Sequence, residues 1–160
     1  GYRPAEVRAG DRPRMRGASN EGVRKVATGN LSPEIFYLVL TTIVTALLWV
    51  PYILNRLVEM GLWPALSRPA PDEAPRAEWA HRTVKAHRNA VENLVTFAPL
   101  ALSVHVLGVS NEVTAMAAMI FFWVRLGHAV VYMLGIPVLR TLLFAAGVVC
   151  QAVLAYEILT

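Results

Sequence analysis

Charge is scarce in this chain, and its distribution is uneven. Of 160 residues only 16% are charged against 56% hydrophobic, and the mean hydropathy is +0.46. Such a composition cannot cover an ordinary soluble domain with polar surface. The formal net charge of +4 belongs to residues 1–30, which hold seven basic side chains and three acidic ones. Residues 31–160 carry eight of each sign and balance. With no basic stripe and interleaved aromatics outside that tail, nucleic acid is excluded as a partner. Cysteine is reduced to Cys150, which rules out an intrachain disulfide framework and a Cys-rich zinc site. No His and carboxylate pair has metal-ligand spacing, so no metal is expected. A serine elbow, a Gly-rich phosphate loop, a CxxC motif and internal repeats are all missing. Residues 1–30 lack the apolar core of a signal peptide. The chain begins at Gly1, and Met15 is a candidate native start that would make the preceding residues an upstream or processed extension.

Long apolar runs are abundant. A membrane span needs about 20 apolar residues, because the hydrocarbon core is roughly 30 Å thick. Ile35–Leu54 supplies twenty consecutive uncharged residues. Ser32 is placed to cap this helix, Pro33 suits its first position, and Glu34 complements the positive end of its dipole. Pro51 is expected to kink its far end, where Trp49 and Tyr52 read as an interfacial belt. Asn93–Val109 is apolar apart from Asn93, Thr96, Ser103 and His105, and the charged stretch Glu78–Glu92 before it has no Pro or Gly. The two read as one long helix, about 78–108, with its first half near the headgroups or inside a protein-lined site and a kink at Pro99. Ser110 is expected to cap the next helix, with Glu112 in its first turn. Gly135-Ile136-Pro137 then turns the chain into a last span that carries Arg140 near its start.

The expected organisation is a basic tail over residues 1–30 and a membrane domain over 31–160, with spans at about 33–57, 78–108, 111–134 and 137–159. Residues 57–77, rich in Pro, Ala and Arg, read as an extended surface loop. The short later connections make neighbouring helices antiparallel. The fold class is therefore an all-α integral membrane protein, an antiparallel bundle of four transmembrane helices surrounded by membrane lipids. With a start at Met15, the positive-inside rule places the 55–88 side in the cytoplasm.

Ionisable residues inside spans are costly and mark bundle interiors, partners or cavities. At about 100° per residue, Arg82, Lys85, Asn89 and Glu92 share one stripe of the second long helix, continued by Thr96 and Ser103. Arg125, His128 and Tyr132 share a face of the third. Arg140 and Thr141 sit just after the Pro137 turn. Converging, these groups suit a small anionic ligand carrying carboxylates and an amine. Two plainer readings stand beside that one. The first stripe is equally a snorkelling interfacial face, and Arg125 with Glu92 is equally a buried structural ion pair. His87 points away from the stripe and reads as an inter-helix hydrogen-bonding residue, while His105 reads as a buried or lipid-edge histidine.

Order and spacing together add a resemblance. Lys85-Ala86-His87-Arg88-Asn89-Ala90-Val91-Glu92-Asn93, preceded by Arg82, resembles the Arg-Ala-His-x-Asn-x-x-Glu signature of the MAPEG family, membrane-associated proteins in eicosanoid and glutathione metabolism. Arg125-Leu126-Gly127-His128-Ala129-Val130-Val131-Tyr132 resembles that family's Arg-x-x-His-x-x-x-Tyr segment, and Pro137 with Arg140-Thr141 its basic fourth-helix start. The resemblance covers about residues 33–158. The stretch Gly135–Leu142 looks most like bacterial, microsomal-glutathione-transferase-like members, which implies a bacterial inner membrane.

The resemblance further implies a homotrimer that binds glutathione, or another low-molecular-weight thiol, between subunits. By similarity Arg82, Lys85, Asn89, Glu92, Arg125, His128 and Tyr132 would line that site, with Arg56 as a further carboxylate-binding arginine. Arg140 would stabilise the thiolate, with the Thr141 hydroxyl beside it. A free thiol titrates near pH 8.5, so a guanidinium that favours the thiolate would activate it at neutral pH. An apolar electrophile or lipid hydroperoxide would enter from the bilayer, and the thiol site would face the cytoplasm. Three departures stand out: Phe144 replaces a tyrosine of some branches, Lys85 replaces a bidentate arginine, and Asn93 fits transferase-like rather than leukotriene-forming members. The implied function is a thiol-dependent membrane transferase or peroxidase. The alternative is a non-catalytic accessory subunit, its basic tail docking on a membrane protein partner or anionic lipid.

Overall fold

In the computed structural model residues 31–67 and 75–160 are described; residues 1–30, read as a basic tail, and residues 68–74 lie outside the described residues. The compact unit Ser32–Thr160 is helical throughout its described elements: α1 (Pro33–Leu47), α2 (Trp49–Met60), α3 (Leu62–Ser67), α4 (Glu78–Leu107), α5 (Glu112–Leu134) and α6 (Pro137–Leu159). The run Pro33–Met60, counted as one span, joins α4, α5 and α6 as four helical segments long and apolar enough to cross a membrane. They pack into a four-helix bundle, the expected fold class.

Cross-contacts fix the directions. The start of α4 meets the end of α5 through Arg82 Nε, which donates to the Met133 carbonyl at 2.9 Å. The end of α6 meets the start of α5 through Asn111 Nδ2, which donates to Glu157 at 2.6 Å. The end of the first span meets the early part of α4 through a 3.1 Å hydrogen bond between Tyr52 Oη and His87 Nδ1, the inter-helix role read for His87. Sequential long helices are thus antiparallel. The core between them holds Phe97, Ala101, Ala118, Phe121 and Leu154, with the Phe97 and Phe121 rings stacked at 3.9 Å. Small alanines let the helices approach while the two aromatics fill the space.

Several helix ends differ from expectation. Ser32 occupies the cap position, and its carbonyl accepts from Phe36 N at 3.0 Å, but its side chain makes no capping bond. The α5 cap is Asn111, not Ser110. Its side chain accepts from Val113 N and Thr114 N, and Thr114 Oγ1 accepts from Asn111 N in return, a capping box with Thr at the third position. Ser110 instead donates to Glu34, at 2.9 and 3.0 Å to its two oxygens. The first span is interrupted at Leu48, three residues before Pro51, because the proline ring crowds the carbonyl four residues back and cannot donate to it. Pro99, by contrast, sits inside an unbroken α4. The 57–77 stretch is not wholly extended: α2 reaches Met60 and α3 adds a further helix. Across it Glu59 accepts from Asn55 Nδ2, Arg76 N and Ala77 N, supplying α4 with the N-terminal acceptor that Ala77 lacks.

Glu34 is the least expected core residue. It is 0% exposed and lies among hydroxyls, taking bonds from Ser110 and from Thr114 Oγ1. A buried carboxylate is tolerated when its lone pairs are met, and here they join α1 to the α4–α5 connection and to α5. Glu34→Ala is expected to lower stability by about 1–3 kcal/mol, the cost of stranding buried polar partners, and Glu34→Gln by less. Thermal unfolding in detergent checks this; an unchanged midpoint for Glu34→Ala would contradict the assigned role.

Candidate functional site

The basic end of the bundle is assembled from three helices. α4 contributes Asn89, α5 contributes His128 and Tyr132 one turn apart, and α6 contributes Arg140, Thr141 and Phe144. These six line one open cavity of about 250 Å³. Its shape follows from local sequence. Gly135 adopts φ +78° as the α5 C-cap, a left-handed conformation that suits glycine, and Pro137 opens α6 two residues later. So short a turn keeps the start of α6 against the end of α5. The Arg140 guanidinium carbon accordingly lies 4.7 Å from the Tyr132 ring centroid, a cation–π contact. His128 packs edge-on to Tyr132 at 5.6 Å and faces Phe144 at 6.4 Å.

Arg125 underlies this cavity. It is 6% exposed, inside a membrane-crossing helix, and its Nη2 donates to Asn89 Oδ1 at 2.7 Å and to the Asn89 carbonyl at 3.3 Å. Its stem packs beside Gly147 on α6, where an added Cβ would meet Arg125 Cδ at 3.5 Å, an ordinary van der Waals contact. The expected partner Glu92 is elsewhere: it is exposed on α4 and pairs with Arg88 Nε at 3.2 Å. The ion pair of Arg125 with Glu92 is therefore not formed, since Arg125 enters the α4–α5 seam where Asn89 waits. Arg125 Nη1 and His128 Nδ1 are buried with no hydrogen-bond partner among the described residues.

Of the ten residues read as site candidates, the structure brings Asn89, His128, Tyr132, Arg140 and Thr141 to one cavity, with Arg125 tied to Asn89. Arg82 stays close to the turn, bonded to the Met133 carbonyl and paired with Glu78 at 3.2 Å, and its guanidinium passes near Gly135. Lys85 is exposed on α4, and Arg56 lies half-buried on α2. Neither of them, nor Glu92, lines the cavity. The single stripe read on the second long helix is thus divided, Asn89 turning inward while Lys85 and Glu92 stay outside. His105 is exposed, its lipid-edge alternative.

Sequence reasoning misses how the polar groups of α4 are held. Gln151 Nε2 donates to the Asn93 carbonyl at 3.2 Å, and Asn93 Nδ2 donates to the Asn89 carbonyl at 3.0 Å. The chain Gln151–Asn93–Asn89–Arg125 ties α6, α4 and α5 together. A lone glutamine in a span otherwise apolar from Leu142 to Tyr156 is the signal that could have found it. Among the described residues no group of three or more His, Cys, Asp or Glu is placed to hold a metal.

Comparison with known proteins decides the family. The profile described as MAPEG family matches residues 35–160. The chain belongs to the MAPEG family. The match takes in the helical bundle from the third residue of α1 to the last residue of the chain. Searches of curated proteins and of solved structures return no significant match. MAPEG proteins include glutathione-dependent transferases and peroxidases, and typically use glutathione.

In this MAPEG chain Asn89 is the neutral partner that makes Arg125 tolerable. Asn89→Leu is expected to destabilise the bundle by roughly 1.5–3 kcal/mol, the scale of a hydrogen bond to a charged group, while Asn89→Asp retains stability by pairing the cation. Parallel melts of both variants in detergent check the order; equal loss in the two would reject it.

Proposed function

We propose that this MAPEG protein is a thiol-dependent membrane transferase or peroxidase whose thiolate forms beside Arg140. One observation carries the reading: a cationic guanidinium, an aromatic hydroxyl and a buried imidazole nitrogen without a partner among the described residues converge on a single cavity inside a membrane bundle. Arg140 supplies a permanent positive charge, and its contact with Tyr132 orients it. Arg125, buried without a carboxylate partner among the described residues, adds to the same positive field, so the cavity favours an anion over a neutral ligand. Thr141 donates to the Pro137 carbonyl at 3.1 Å, one turn back. Rotated away from it, the same hydroxyl would reach a sulfur held by Arg140.

The residues fit glutathione in part. The cavity lining holds one cation, sufficient for the sulfur, and no carboxylate to receive the ammonium. The peptide's two carboxylates and ammonium would therefore look to Arg82, Lys85, Arg56 and Glu92, which lie outside the lining, and to residues of neighbouring subunits. That division supports a homotrimer with the site completed between copies. Asn93 and the Gly135–Leu142 stretch support a bacterial, microsomal-glutathione-transferase-like branch and an inner-membrane location. Within the described residues Glu34, Glu112 and Glu157 lie at one end of the bundle and every Lys and Arg lies toward the other, which by the positive-inside rule supports a cytoplasmic thiol site.

In turnover the bilayer delivers an apolar acceptor to the exposed side of α6. The thiolate sulfur bonds an electrophilic carbon and the leaving group departs. With a lipid hydroperoxide the sulfur takes the distal oxygen, the alkoxide is protonated, and a second thiol completes the reduction. Arg140 holds negative charge on sulfur until attack.

Purified protein in detergent is expected to conjugate glutathione to an aryl halide. Arg140→Ala should lower kcat by about 100-fold, the typical loss on deleting one charge-stabilising donor, while leaving the melting temperature unchanged. Thr141→Val should cost less. No turnover by wild type, together with no thermal shift on adding glutathione, would overturn the reading in favour of a non-catalytic accessory subunit. A monomeric mass in nanodiscs would remove the intersubunit site.

A further inference from the structure

A second concavity lies between α5 and α6, and it has a different character. It measures about 620 Å³ and its walls are apolar except for Glu112 at one end. On α6 the polar cavity uses Arg140, Thr141 and Phe144, whereas this groove uses Ala146, Val149 and Cys150. At roughly 100° per residue the two sets point in nearly opposite directions, so the groove opens on the far face of α6 from the thiol cavity. Its α5 wall runs from Glu112 to Ile120, a rise of about 12 Å, which approaches the depth of one leaflet's hydrocarbon. Ala117 and Ala146 make the floor shallow enough to admit a chain, and Val113, Met116 and Val149 are exposed along its edges.

Charge selects the occupant. Glu112 opens α5 at the end of the bundle where Glu34 and Glu157 also lie, and among the described residues no Lys or Arg is found at that end. Glu34 is committed to Ser110 and Thr114, and Glu157 to Asn111. Glu112 is the carboxylate at the groove mouth. Among the charged side chains of the described residues at that end, a headgroup with net negative charge meets only carboxylates, whereas one bearing an ammonium meets a counter-charge.

We propose that this groove is a binding site for a phosphatidylethanolamine-type phospholipid, one acyl chain lying between α5 and α6 and the primary ammonium pairing with Glu112. The lipid site is independent of thiol chemistry, because the groove and the polar cavity share no residue. The lipid is a resident of the outer face of the bundle, covering apolar surface that the four helices leave unpaired.

Native mass spectrometry of the full chain tests it, after delipidation and titration with phosphatidylethanolamine or phosphatidylglycerol of matched acyl chains. Wild type is expected to retain the ethanolamine lipid about 5-fold better, the scale of one charge near a membrane surface. Glu112→Gln should bring that ratio close to one without altering the melting temperature. Ala146→Phe, which fills the floor, should remove both adducts. If that variant unfolds, Val149→Trp blocks the groove from its exposed edge instead. Equal retention of the two lipids by wild type, an unchanged ratio in Glu112→Gln, or adducts surviving the blocking variants would overturn the site. Loss of subunit association in Val149→Trp, with lipid retained, would identify a second copy as the occupant and overturn it as well.

Discussion

A guanidinium buried in a membrane bundle, with no carboxylate partner among the described residues, is the constraint around which the basic half of this protein is arranged. Arg125 cannot lose its charge, and burial deprives it of water. Its answer is a neutral one: the Asn89 side-chain oxygen and carbonyl, both on α4, take Nη2. Asn89 must then be held in place, which Asn93 does from the next turn, while Gln151 on α6 bonds the Asn93 carbonyl. One side chain thus sets requirements on three helices. A carboxylate partner would have neutralised the region. An amide takes one guanidinium nitrogen and leaves the positive field intact.

The opposite end is built on the inverse solution. Glu34 is buried among Ser110 and Thr114, so a negative charge is met by hydroxyl dipoles and not by a cation. Each half therefore carries an unneutralised charge held by neutral groups, and the signs are opposite. Direct pairing is impossible, since α5 rises about 16 Å between Thr114, which holds Glu34, and Arg125. The arrangement keeps the two ends electrostatically distinct across the membrane. It also gives the bundle directional character: anions are favoured beside Arg125 and Arg140, ammonium groups beside Glu112.

How much of this is legible in the sequence depends on the scale of the feature. The spans are legible because hydropathy averaged over a whole span is insensitive to any single side chain, and the bundle follows from short connections. The convergence of Asn89, His128, Tyr132 and Arg140 is legible through the family resemblance combined with helical periodicity. What periodicity cannot supply is the choice between residues roughly 60° apart around a helix. Asn89 and Glu92 are such a pair, yet one faces Arg125 and the other pairs with Arg88 at the surface. A cap depends on still finer detail. Ser110 and Asn111 are both good cap residues, and Asn111 wins because Glu34, 76 residues earlier in the chain than Ser110, claims the serine hydroxyl. Such competition between local and distant partners has no local signature. The break at Leu48 is displaced from Pro51 for a simpler reason, since the steric conflict of a proline falls on the turn behind it.

The turn between α5 and α6 shows why the two sides of the cavity differ in kind. Because only Gly135 and Ile136 separate the two helices, the cation on α6 and the aromatic on α5 are neighbours by construction and do not rely on long-range packing. Asn89, by contrast, reaches the same cavity from α4, far earlier in the sequence, and depends on Arg125 to stay there. The site therefore has a locally determined half, Tyr132 with Arg140, and a half determined by the buried cation. Perturbing the first alters the charge offered to a ligand; perturbing the second alters whether α4 is present to confine it. A chain of this kind holds its charged group ready at the start of α6 and uses the cost of burying Arg125 to close the cavity around it.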